Sequence, residues 1–252
     1  MTPIPDFSLA GKLALVTGAG RGIGRAIAEV YAQAGAEVVL CARSGAEITD
    51  VAEALAAQGL SARAIPCDVT DVAAFRALVE GLDRLDIFVN NAGTNRPRPL
   101  VDVTEEDFDT IAGLNLRAAF FALQSVARRM RDLGRGGSII NMSSQMGHIG
   151  AADRSVYCAT KWGIEGLTKA SAIELAPAGI RVNTICPTFI ETPLTRPYFE
   201  NPAFRDHCLR MIKLGRVGQV GDITGAALYL ASDASGLMTG SAMMLDGGWT
   251  AE

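Results

Sequence analysis

Seven short apolar runs, separated by stretches with helical periodicity, restrict the fold of this 252-residue chain more than any other feature of its sequence. Most of the runs are apolar at consecutive positions, which is typical of strands in a parallel sheet covered on both faces. They are residues 12–17, 37–41, 62–67, 85–90, 138–142, 181–186 and 242–245. Between them lie helical patterns such as 23–34 and 156–175, and Gly35 follows the first of these where a helix-ending glycine is expected. The alternation predicts an α/β fold with a doubly wound, mostly parallel seven-stranded sheet and helices on both faces.

One segment interrupts this alternation. Residues 188–213 carry three prolines and several bulky apolar side chains between a predicted strand and the next helix. Long insertions in compact domains are commonly lids or binding loops, so we predict a substrate lid here, with a plain surface excursion as the alternative. The sequence has no Pro-, Gly- or Ser-rich linker and no internal repeat, and we therefore expect a single domain over residues 1–252.

Composition excludes several classes of protein. With 49% apolar and 20% charged residues the chain is too apolar for disorder, and a net charge of −4 gives no attraction to nucleic acid or anionic membranes. The five cysteines include no CxxC pair and there are only two histidines, which argues against a disulfide framework and a metal site. We find no signal peptide and no apolar run long enough to span a membrane. These features predict a cytoplasmic protein without metal, membrane or nucleic-acid partners.

The first predicted strand runs directly into a glycine-rich turn, TGAGRGIG at residues 17–24. Its spacing fits TGxxxGxG through Gly18, Gly22 and Gly24; GxGxxG does not fit, because Ile23 stands where glycine or alanine is needed. A strand, a glycine turn and a helix in this order direct backbone N–H groups and a helix N-terminus at a pyrophosphate. An ordinary tight turn is the alternative. The position in the first strand–helix unit favours a Rossmann-type dinucleotide site.

The end of the second strand bears on the choice of dinucleotide. NAD-binding chains usually carry an acidic residue there for the ribose 2′-hydroxyl, but residues 38–46 contain none and Arg43 is present instead. Arg21 in the glycine turn is close to the same end of the cofactor. Two guanidinium groups suit a 2′-phosphate, so we predict NADP(H) in preference to NAD(H); two solvated surface arginines are the alternative.

Tyr157 and Lys161 are four residues apart, and on a helix they share one face. A tyrosine titrates near pH 10, and a neighbouring ammonium should lower its pKa towards a value useful for proton transfer to a carbonyl oxygen. The same spacing is common on ordinary helix faces. Here the pair comes thirteen residues after Ser144, in the helix that follows the fifth strand.

Together, the glycine motif, NNAG at 90–93, Asn115, Ser144 and the Tyr157–Lys161 pair resemble the short-chain dehydrogenase/reductase family. The motifs keep the family's order and spacing from about residue 8 to Gly248. The resemblance implies four catalytic residues: Asn115, Ser144, Tyr157 and Lys161. The thirteen-residue offset selects Ser144 over its neighbour Ser143, whose backbone would touch the nicotinamide.

By the same resemblance, each of the four has a role. Ser144 would donate a hydrogen bond to the substrate oxygen, and Tyr157 would be the general acid in reduction and the base in oxidation. Lys161 would hold the nicotinamide ribose and lower the tyrosine's pKa. Asn115 would kink its helix and hold a water that relays protons.

The resemblance also assigns a larger set of cofactor-binding residues. They are Gly18, Arg21, Gly22, Ile23, Gly24, Arg43, Asp68, Val69, Asn91, Ala92, Gly93, Tyr157, Lys161, Pro187, Ile190 and Thr192. Asp68 could instead cap a helix, and residues 91–93 could be a structural turn. At Pro187-Thr188 the chain departs from the family's usual Pro-Gly, which leaves the local backbone path open.

For the substrate, the expected contacts are Ser144, Gln145, His148 and Tyr157. Further predicted wall residues are Asn95, Arg96, Met146, Asp153 and Arg154, with Phe189, Leu194, Tyr198, Phe199 and Met211 from the lid. The histidine and arginines would suit a polar or anionic substrate such as a keto sugar acid, unless they are merely solvated.

These observations predict an NADP(H)-dependent oxidoreductase that interconverts a ketone and a secondary alcohol. Within that class, a 3-oxoacyl-thioester reductase and a sugar or sugar-acid dehydrogenase are alternatives. A dinucleotide sensor is disfavoured because all four catalytic residues are present, and an epimerase or dehydratase because such chains are usually longer. A basic cluster at Arg128, Arg129, Arg131 and Arg135 could dock an acyl carrier protein, but a helix C-terminus explains it better. The family also implies a homotetramer, packed through helices near 105–131 and 153–176 and the C-terminal segment.

Overall fold

Every strand pairing in the sheet is parallel. The computed structural model describes residues 4–251. Within them the sheet has seven strands in the order β3-β2-β1-β4-β5-β6-β7, as the seven apolar runs predict. The strands are β1 Leu13–Thr17, β2 Glu37–Ala42, β3 Ala62–Pro66, β4 Ile87–Asn90, β5 Gly137–Met142, β6 Ile180–Pro187 and β7 Ala242–Leu245.

Helices cover both faces of this sheet. They are α1 Gly22–Gln33, α2 Gly45–Ala56, α3 Val72–Glu80, α4 Glu105–Ala112, α5 Ala119–Leu133, α6 Ser155–Leu175, α7 Arg196–Phe199, α8 Pro202–Met211 and α9 Gly221–Ala231. Residues of α1, α2 and α9 build the core on one face, and residues of α3, α5 and α6 build the core on the other. The doubly wound Rossmann-type fold expected from the sequence is therefore confirmed.

The strands at the centre of the sheet are buried along their whole length. Every residue of β1 and of β4 is buried, which is why these runs are apolar at consecutive positions. A fully buried phenylalanine such as Phe88 stabilises the fold by about 1.5–3 kcal/mol relative to an exposed one. On the opposite face, Tyr31 is buried as well, and its hydroxyl donates a hydrogen bond of 2.9 Å to the Ala227 carbonyl, which ties α1 to α9.

Two helices end at glycines with a left-handed backbone, and the sequence predicts the first of these, Gly35. Gly35 adopts a left-handed φ of +98° just after α1, and Gly134 does the same, at +66°, after α5. The basic cluster belongs to this second helix end, where Arg129 donates two hydrogen bonds, of 2.8 and 2.6 Å, to the Leu82 carbonyl. All five cysteines are free thiols, in line with the predicted lack of a disulfide framework.

The chain reverses its direction of winding between β1 and β4, since β1 lies between β2 and β4 in the sheet. In doubly wound sheets, ligands bind in the crevice that opens at the carboxyl ends of the strands at such a switch point. The fold therefore predicts a ligand site at the carboxyl ends of β1 and β4. Among residues 4–251, no helix combines the length and the apolar character that a membrane crossing requires.

Candidate active site

A cavity of about 770 Å³ opens at the carboxyl ends of the strands, at the switch point. Its volume falls in the range of about 300–1,000 Å³ typical of ligand pockets. All the predicted cofactor residues line it: Gly18, Arg21, Gly22, Ile23, Gly24, Arg43, Asp68, Val69, Asn91, Ala92, Gly93, Tyr157, Lys161, Pro187, Ile190 and Thr192. Ser144 and Gln145 line it too. Strand order thus brings together residues that are up to 174 positions apart in the sequence.

The glycine turn is a backbone cradle that larger residues would fill. Gly18 and Gly22 have left-handed φ values of +65° and +58°. A Cβ on Gly24 would collide with the Gly18 carbonyl group and lie 2.5 Å from Asn91 Nδ2. The Asn91 amide holds the turn by donating to the Thr17 carbonyl at 2.8 Å, so this side chain has the structural role considered for residues 91–93. A cradle of exposed backbone at a helix N-terminus fits the pyrophosphate of a dinucleotide.

Two arginines stand at the far end of the cavity, by the turn and β2. Both Arg21 and Arg43 line the cavity and are exposed. An acidic side chain lies beside them, one residue beyond the acid-free stretch 38–46. Glu47, in the first turn of α2, also lines the cavity, and its Oε1 is 4.0 Å from Arg21 Nη1. Asp68 does not cap α3, since Asp71 accepts from the Ala73 and Ala74 amides.

Lys161 and Tyr157 share one face of α6, as their spacing predicts. Lys161 Nζ is 5.5 Å from the centroid of the Tyr157 ring and donates to the Met142 carbonyl at 2.7 Å. Burial lowers the pKa of Lys161 to about 8, and the nearby Cys186 and Glu165 only partly oppose this shift. The ammonium is therefore held in place by the end of β5.

The pKa of Tyr157 differs from the expectation. Burial of the ring raises it above its ordinary value, and this outweighs the lowering by a hydrogen bond with Ser144 and by the charge of Arg154. The predicted net lowering is wrong for this structure, because burial of the ring outweighs the groups that lower the Tyr157 pKa, and Lys161 directs its ammonium at a backbone carbonyl. The phenol is protonated at neutral pH.

Ser144 stands at the end of β5 and begins a short 3-10 turn, Gln145–Gly147. Its Oγ accepts from the Met146 amide at 3.1 Å. The neighbouring Ser143 uses its backbone N–H in the sheet, at 2.9 Å from the Ile185 carbonyl. Its amide is therefore engaged in the sheet; Ser143 also lines the cavity, and its backbone contact with the nicotinamide stays a prediction.

Asn115 distorts its helix as expected. It lies in a π-helical segment, Gly113–Ala118, that joins α4 to α5, and such wider turns are common at functional sites. Its buried amide accepts from the Thr94 N–H and donates to the Thr94 carbonyl, both at 2.8 Å. Asn115 does not line the cavity itself; it holds the backbone just after the NNAG segment against the helices behind it.

Several predicted substrate contacts lie elsewhere, and His148 is the chief correction. The turn after Ser144 directs His148 towards α6 and β6, where its Nε2 is 3.5 Å from Glu165 Oε1. Arg96 is also outside the cavity, because it pairs with Glu106 and Asp107 at 3.2 and 3.3 Å. Asp153, Phe199 and Met211 do not line the cavity either. Those that do are Asn95, Gln145, Met146, Arg154, Phe189, Leu194 and Tyr198.

Arg154 joins the 188–213 segment to the body of the sheet. This arginine is 8% exposed, and its guanidinium lies 5.4 Å from the centroid of Phe189, 5.5 Å from that of Tyr198 and 5.8 Å from that of Phe204. Attraction between a guanidinium and aromatic faces is strongest where water is excluded. The sequence predicts Arg154 as a wall residue but gives no signal for Phe204. The spacing of the aromatic residues does not show that they surround one guanidinium.

Five buried polar atoms on residues of the cavity wall have no hydrogen-bond partner within residues 4–251. They are Asn95 Oδ1, Ser143 Oγ, Gln145 Oε1, Gln145 Nε2 and Thr188 Oγ1. Thr188 stands at the departure from Pro-Gly. Its backbone does not need a glycine, because Asp153 is the only non-glycine residue of the described chain with a left-handed φ. The departure therefore adds a hydroxyl to the cavity without strain.

Comparison with known proteins agrees with this geometry. Residues 18–250 match a family model described as enoyl-(acyl carrier protein) reductase. The D-threitol dehydrogenase of Mycolicibacterium smegmatis is 39% identical over 97% of this chain and 95% of that protein. A short-chain type dehydrogenase/reductase from Mycobacterium marinum is 41% identical, with a TM-score of 0.93 over 98% of both chains. A gluconate 5-dehydrogenase from Burkholderia cenocepacia, solved with NADP and tartrate, is 35% identical with a TM-score of 0.95, again over 98% of both.

These matches span nearly the whole chain, and they agree with the order of motifs and with the cavity that those motifs line. The chain belongs to the short-chain dehydrogenase/reductase family, and it is an NAD(P)-dependent oxidoreductase that interconverts a ketone and a secondary alcohol.

Proposed function

We propose that this enzyme prefers NADP(H) and acts on a small polyhydroxylated substrate, a sugar, polyol or sugar acid. The observation that carries the substrate class is the set of unpartnered polar atoms in the same cavity as Tyr157, above all the four on Asn95, Gln145 and Thr188. A buried polar atom without a partner costs about 1–3 kcal/mol. Once these buried side chains turn towards the cavity, a substrate with several hydroxyls would satisfy their polar atoms, whereas the acyl chain of a 3-oxoacyl thioester would leave them unpaired.

The names of the relatives support this substrate class. The compounds in them, threitol, gluconate and the bound tartrate, all carry several hydroxyl groups. Two of these are carboxylates, and buried Arg154 in the cavity wall would suit an acid. Arg154 is therefore the residue in the cavity wall best placed to favour a sugar acid over a neutral polyol.

For the chemistry, we assign Asn115, Ser144, Tyr157 and Lys161 as the catalytic residues. Ser144 donates a hydrogen bond to the reacting oxygen, and Tyr157 gives it a proton in reduction or takes one in oxidation. The raised pKa of Tyr157 keeps the phenol protonated at neutral pH, which is the state that reduction requires. A bound nicotinamide dinucleotide supplies or accepts the hydride. Lys161 lines the cavity, where it would hold the nicotinamide ribose, and the Met142 carbonyl fixes its ammonium; Asn115 acts from behind the cavity, through the Thr94 backbone.

The substrate class is tested with a panel of ketoses, keto sugar acids, simple ketones and 3-oxoacyl thioesters, followed by nicotinamide absorbance. Gln145→Leu should lower kcat/KM for the polyhydroxylated ketones by about 5- to 150-fold, equivalent to about 1–3 kcal/mol, and leave simple ketones almost unchanged. Met146→Leu, next to it in the cavity wall, is the matched control and should change neither. Equal losses on both kinds of ketone would contradict the proposed substrate class.

The catalytic assignment has its own test. Tyr157→Phe should lower kcat by at least about 10²-fold while NADPH binding, followed by fluorescence, stays close to that of the wild type. Full activity in this variant would overturn the mechanism.

We assign the NADP(H) preference to Arg21 and Arg43, whose charges suit a 2′-phosphate. The wild type should have a higher kcat/KM with NADPH than with NADH, and Arg43→Asp should reverse the order. Since Glu47 faces Arg21, Glu47→Gln should strengthen the preference. A wild type that prefers NADH would refute this assignment.

We further propose that residues 1–252 form one domain in which residues 188–213 are the substrate lid, because Phe189, Leu194 and Tyr198 of this segment line the cavity beside Tyr157. We also propose that the enzyme is a homotetramer, because apolar side chains are exposed on α4, α5 and α6. The five free thiols support a location in the cytoplasm, where thiols stay reduced.

A further inference from the structure

Three metal-ligating side chains meet behind the cavity, outside the set assigned to catalysis. His148 follows the 3-10 turn after Ser144, Glu165 lies on α6 and Cys186 lies on β6. His148 Nε2 is 3.4 Å from Cys186 Sγ and 3.5 Å from Glu165 Oε1, and the sulfur is 3.3 Å from the same carboxylate oxygen. Among residues 4–251 they form the only group of three such side chains with ligand atoms so close together.

The size of this triangle matches one face of a coordination tetrahedron. Zinc binds thiolate sulfur at about 2.3 Å and imidazole nitrogen or carboxylate oxygen at about 2.0–2.2 Å. Tetrahedral geometry then places the nitrogen and the oxygen about 3.3–3.5 Å apart, and the sulfur about 3.5–3.7 Å from each of them. The measured N···O separation of 3.5 Å lies within its range, and the two sulfur separations, 3.4 and 3.3 Å, are shorter than theirs by at most about 0.4 Å. An ion would fit with little movement of the side chains.

The donor types select a class of metal. A thiolate and a carboxylate together neutralise a dication, and one sulfur, one nitrogen and one oxygen suit a borderline ion such as Zn²⁺. Magnesium and calcium prefer oxygen ligands throughout and are disfavoured here. The Cys186 thiol is neutral in the metal-free protein, since burial raises its pKa to about 12, and a bound metal deprotonates such a thiol outright.

The surroundings provide the remaining features of a site. The Ser143 hydroxyl is buried and makes no hydrogen bond within the described chain, and both it and the Glu165 side chain border the same space beside Gly147. This hydroxyl stands ready for the fourth position, directly or through a water. Thr184 Oγ1 donates to Glu165 Oε2 at 3.1 Å and so leaves Oε1 for a metal. The His148 side chain is 32% exposed, which gives an ion a path from solvent.

We propose that His148, Glu165 and Cys186 form a tetrahedral site for Zn²⁺ or a similar borderline divalent cation, with Ser143 Oγ or a water as the fourth ligand. In the metal-free protein the same atoms make a hydrogen-bonded network, in which the Cys186 thiol donates to Glu165 Oε1. The site lies one helical turn along α6 from Lys161, and it is independent of the substrate class proposed above.

Titration of the full-length protein with Co²⁺ tests the proposal, because tetrahedral cobalt bound to a thiolate has strong visible absorption and a thiolate charge-transfer band. We expect both signals to saturate at one Co²⁺ per chain and to be displaced by Zn²⁺. Cys186→Ser should abolish the charge-transfer band, and His148→Ala should weaken Co²⁺ binding by more than about tenfold, since even outer partners of metal ligands contribute about 10- to 100-fold.

The chain offers two matched controls. Cys208→Ser removes another buried cysteine, and His207→Ala removes the other histidine. Both should bind Co²⁺ as the wild type does. Glu165→Gln, which keeps the shape of the side chain, is a further ligand variant in case Cys186→Ser folds poorly, and it should also weaken binding. Wild-type protein without a saturable charge-transfer band, or a band that survives in Cys186→Ser, would overturn the proposal.

Discussion

Single glycines decide whether the cofactor cradle exists at all. Gly24 lies in the first turn of α1, and a methyl group there would collide with the Gly18 carbonyl and the Asn91 amide. The Asn91 amide ties the cradle to the segment after β4. A substitution that adds a side chain must therefore push apart the two loops that a dinucleotide contacts together.

We predict that Gly24→Ala weakens NADPH binding by at least about tenfold, equivalent to about 1.4 kcal/mol. Gly221→Ala is the matched control, because Gly221 also opens a helix but has no atom within 4 Å of the added methyl group. The control should bind NADPH normally and unfold at the same or a slightly higher temperature. Binding measured by fluorescence titration checks both variants, and wild-type affinity in Gly24→Ala would show that the cradle is not the phosphate site.

At the same scale, the sequence predicts which side chains are neighbours better when both lie on one helix or strand than when they come from different elements. The Tyr157–Lys161 spacing on one helix is confirmed, since a helical period of 3.6 fixes which side chains share a face. The position of His148 soon after Ser144 predicts a place in the substrate wall, which the structure contradicts. Its direction depends on a three-residue 3-10 turn, and its neighbours Glu165 and Cys186 come from other elements, so spacing along the chain gave no signal for it.

Among the elements, the short helix α4 begins with a capping box, in which Thr104 and Asp107 bond to each other. Thr104 caps it by accepting from the Asp107 amide at 3.1 Å, and the Asp107 carboxylate accepts from the Thr104 hydroxyl at 2.9 Å. Arg98 also pairs with this carboxylate, at 3.0 Å. The hydrogen bond from Thr104 is the main cause that lowers the pKa of Asp107 below its ordinary value.

This lowered pKa gives a pH dependence of known sign. The folded state holds the proton on Asp107 less tightly than the unfolded chain, so the carboxylate stabilises the fold fully above about pH 4 and loses that effect as pH falls through the lower folded pKa. Asp107→Asn should therefore lower the free energy of unfolding at pH 7, and the difference from wild type should shrink towards pH 3. Urea unfolding at the two pH values measures it. Asp109→Asn, on the exposed side of the same helix, should cause a smaller loss at pH 7, and a constant difference for Asp107→Asn would contradict the expected linkage.

The 188–213 segment shows how far sequence can predict an element. Its prolines and its place after β6 indicated an insertion beside the site, and in the structure eight residues between Thr188 and Tyr198 line the cavity. The helices α7 and α8 within it were not predicted. Four residues of α7 are too few for a periodic signal, and the contact that holds the segment, Arg154 against three aromatic rings, joins residues up to 50 positions apart.

For the whole molecule, the sheet was predictable because each buried strand must be apolar on both faces and each crossover must be right-handed. Seven runs then lead to a doubly wound sheet, whose switch point locates the cavity. The association of chains has no comparable rule, since a surface patch is assembled from side chains of several helices. Large apolar side chains are exposed on α4, α5 and α6, among them Phe108, Phe120, Trp162 and Ile173.

These exposed side chains yield a prediction about assembly. Patches of this kind on a folded chain usually mark an interface, so we expect the wild type to run as a tetramer in light scattering. The double variant Phe120→Glu/Ile173→Glu places charges on both α5 and α6 and should shift the protein to smaller species, because an unpaired charge is costly to bury in an interface. Ile4→Glu changes an apolar residue near the chain start that is more exposed than either of these two, and it should leave the tetramer intact. A wild type that scatters as a single chain, or a double variant that stays tetrameric, would mean that these two helix faces do not join subunits.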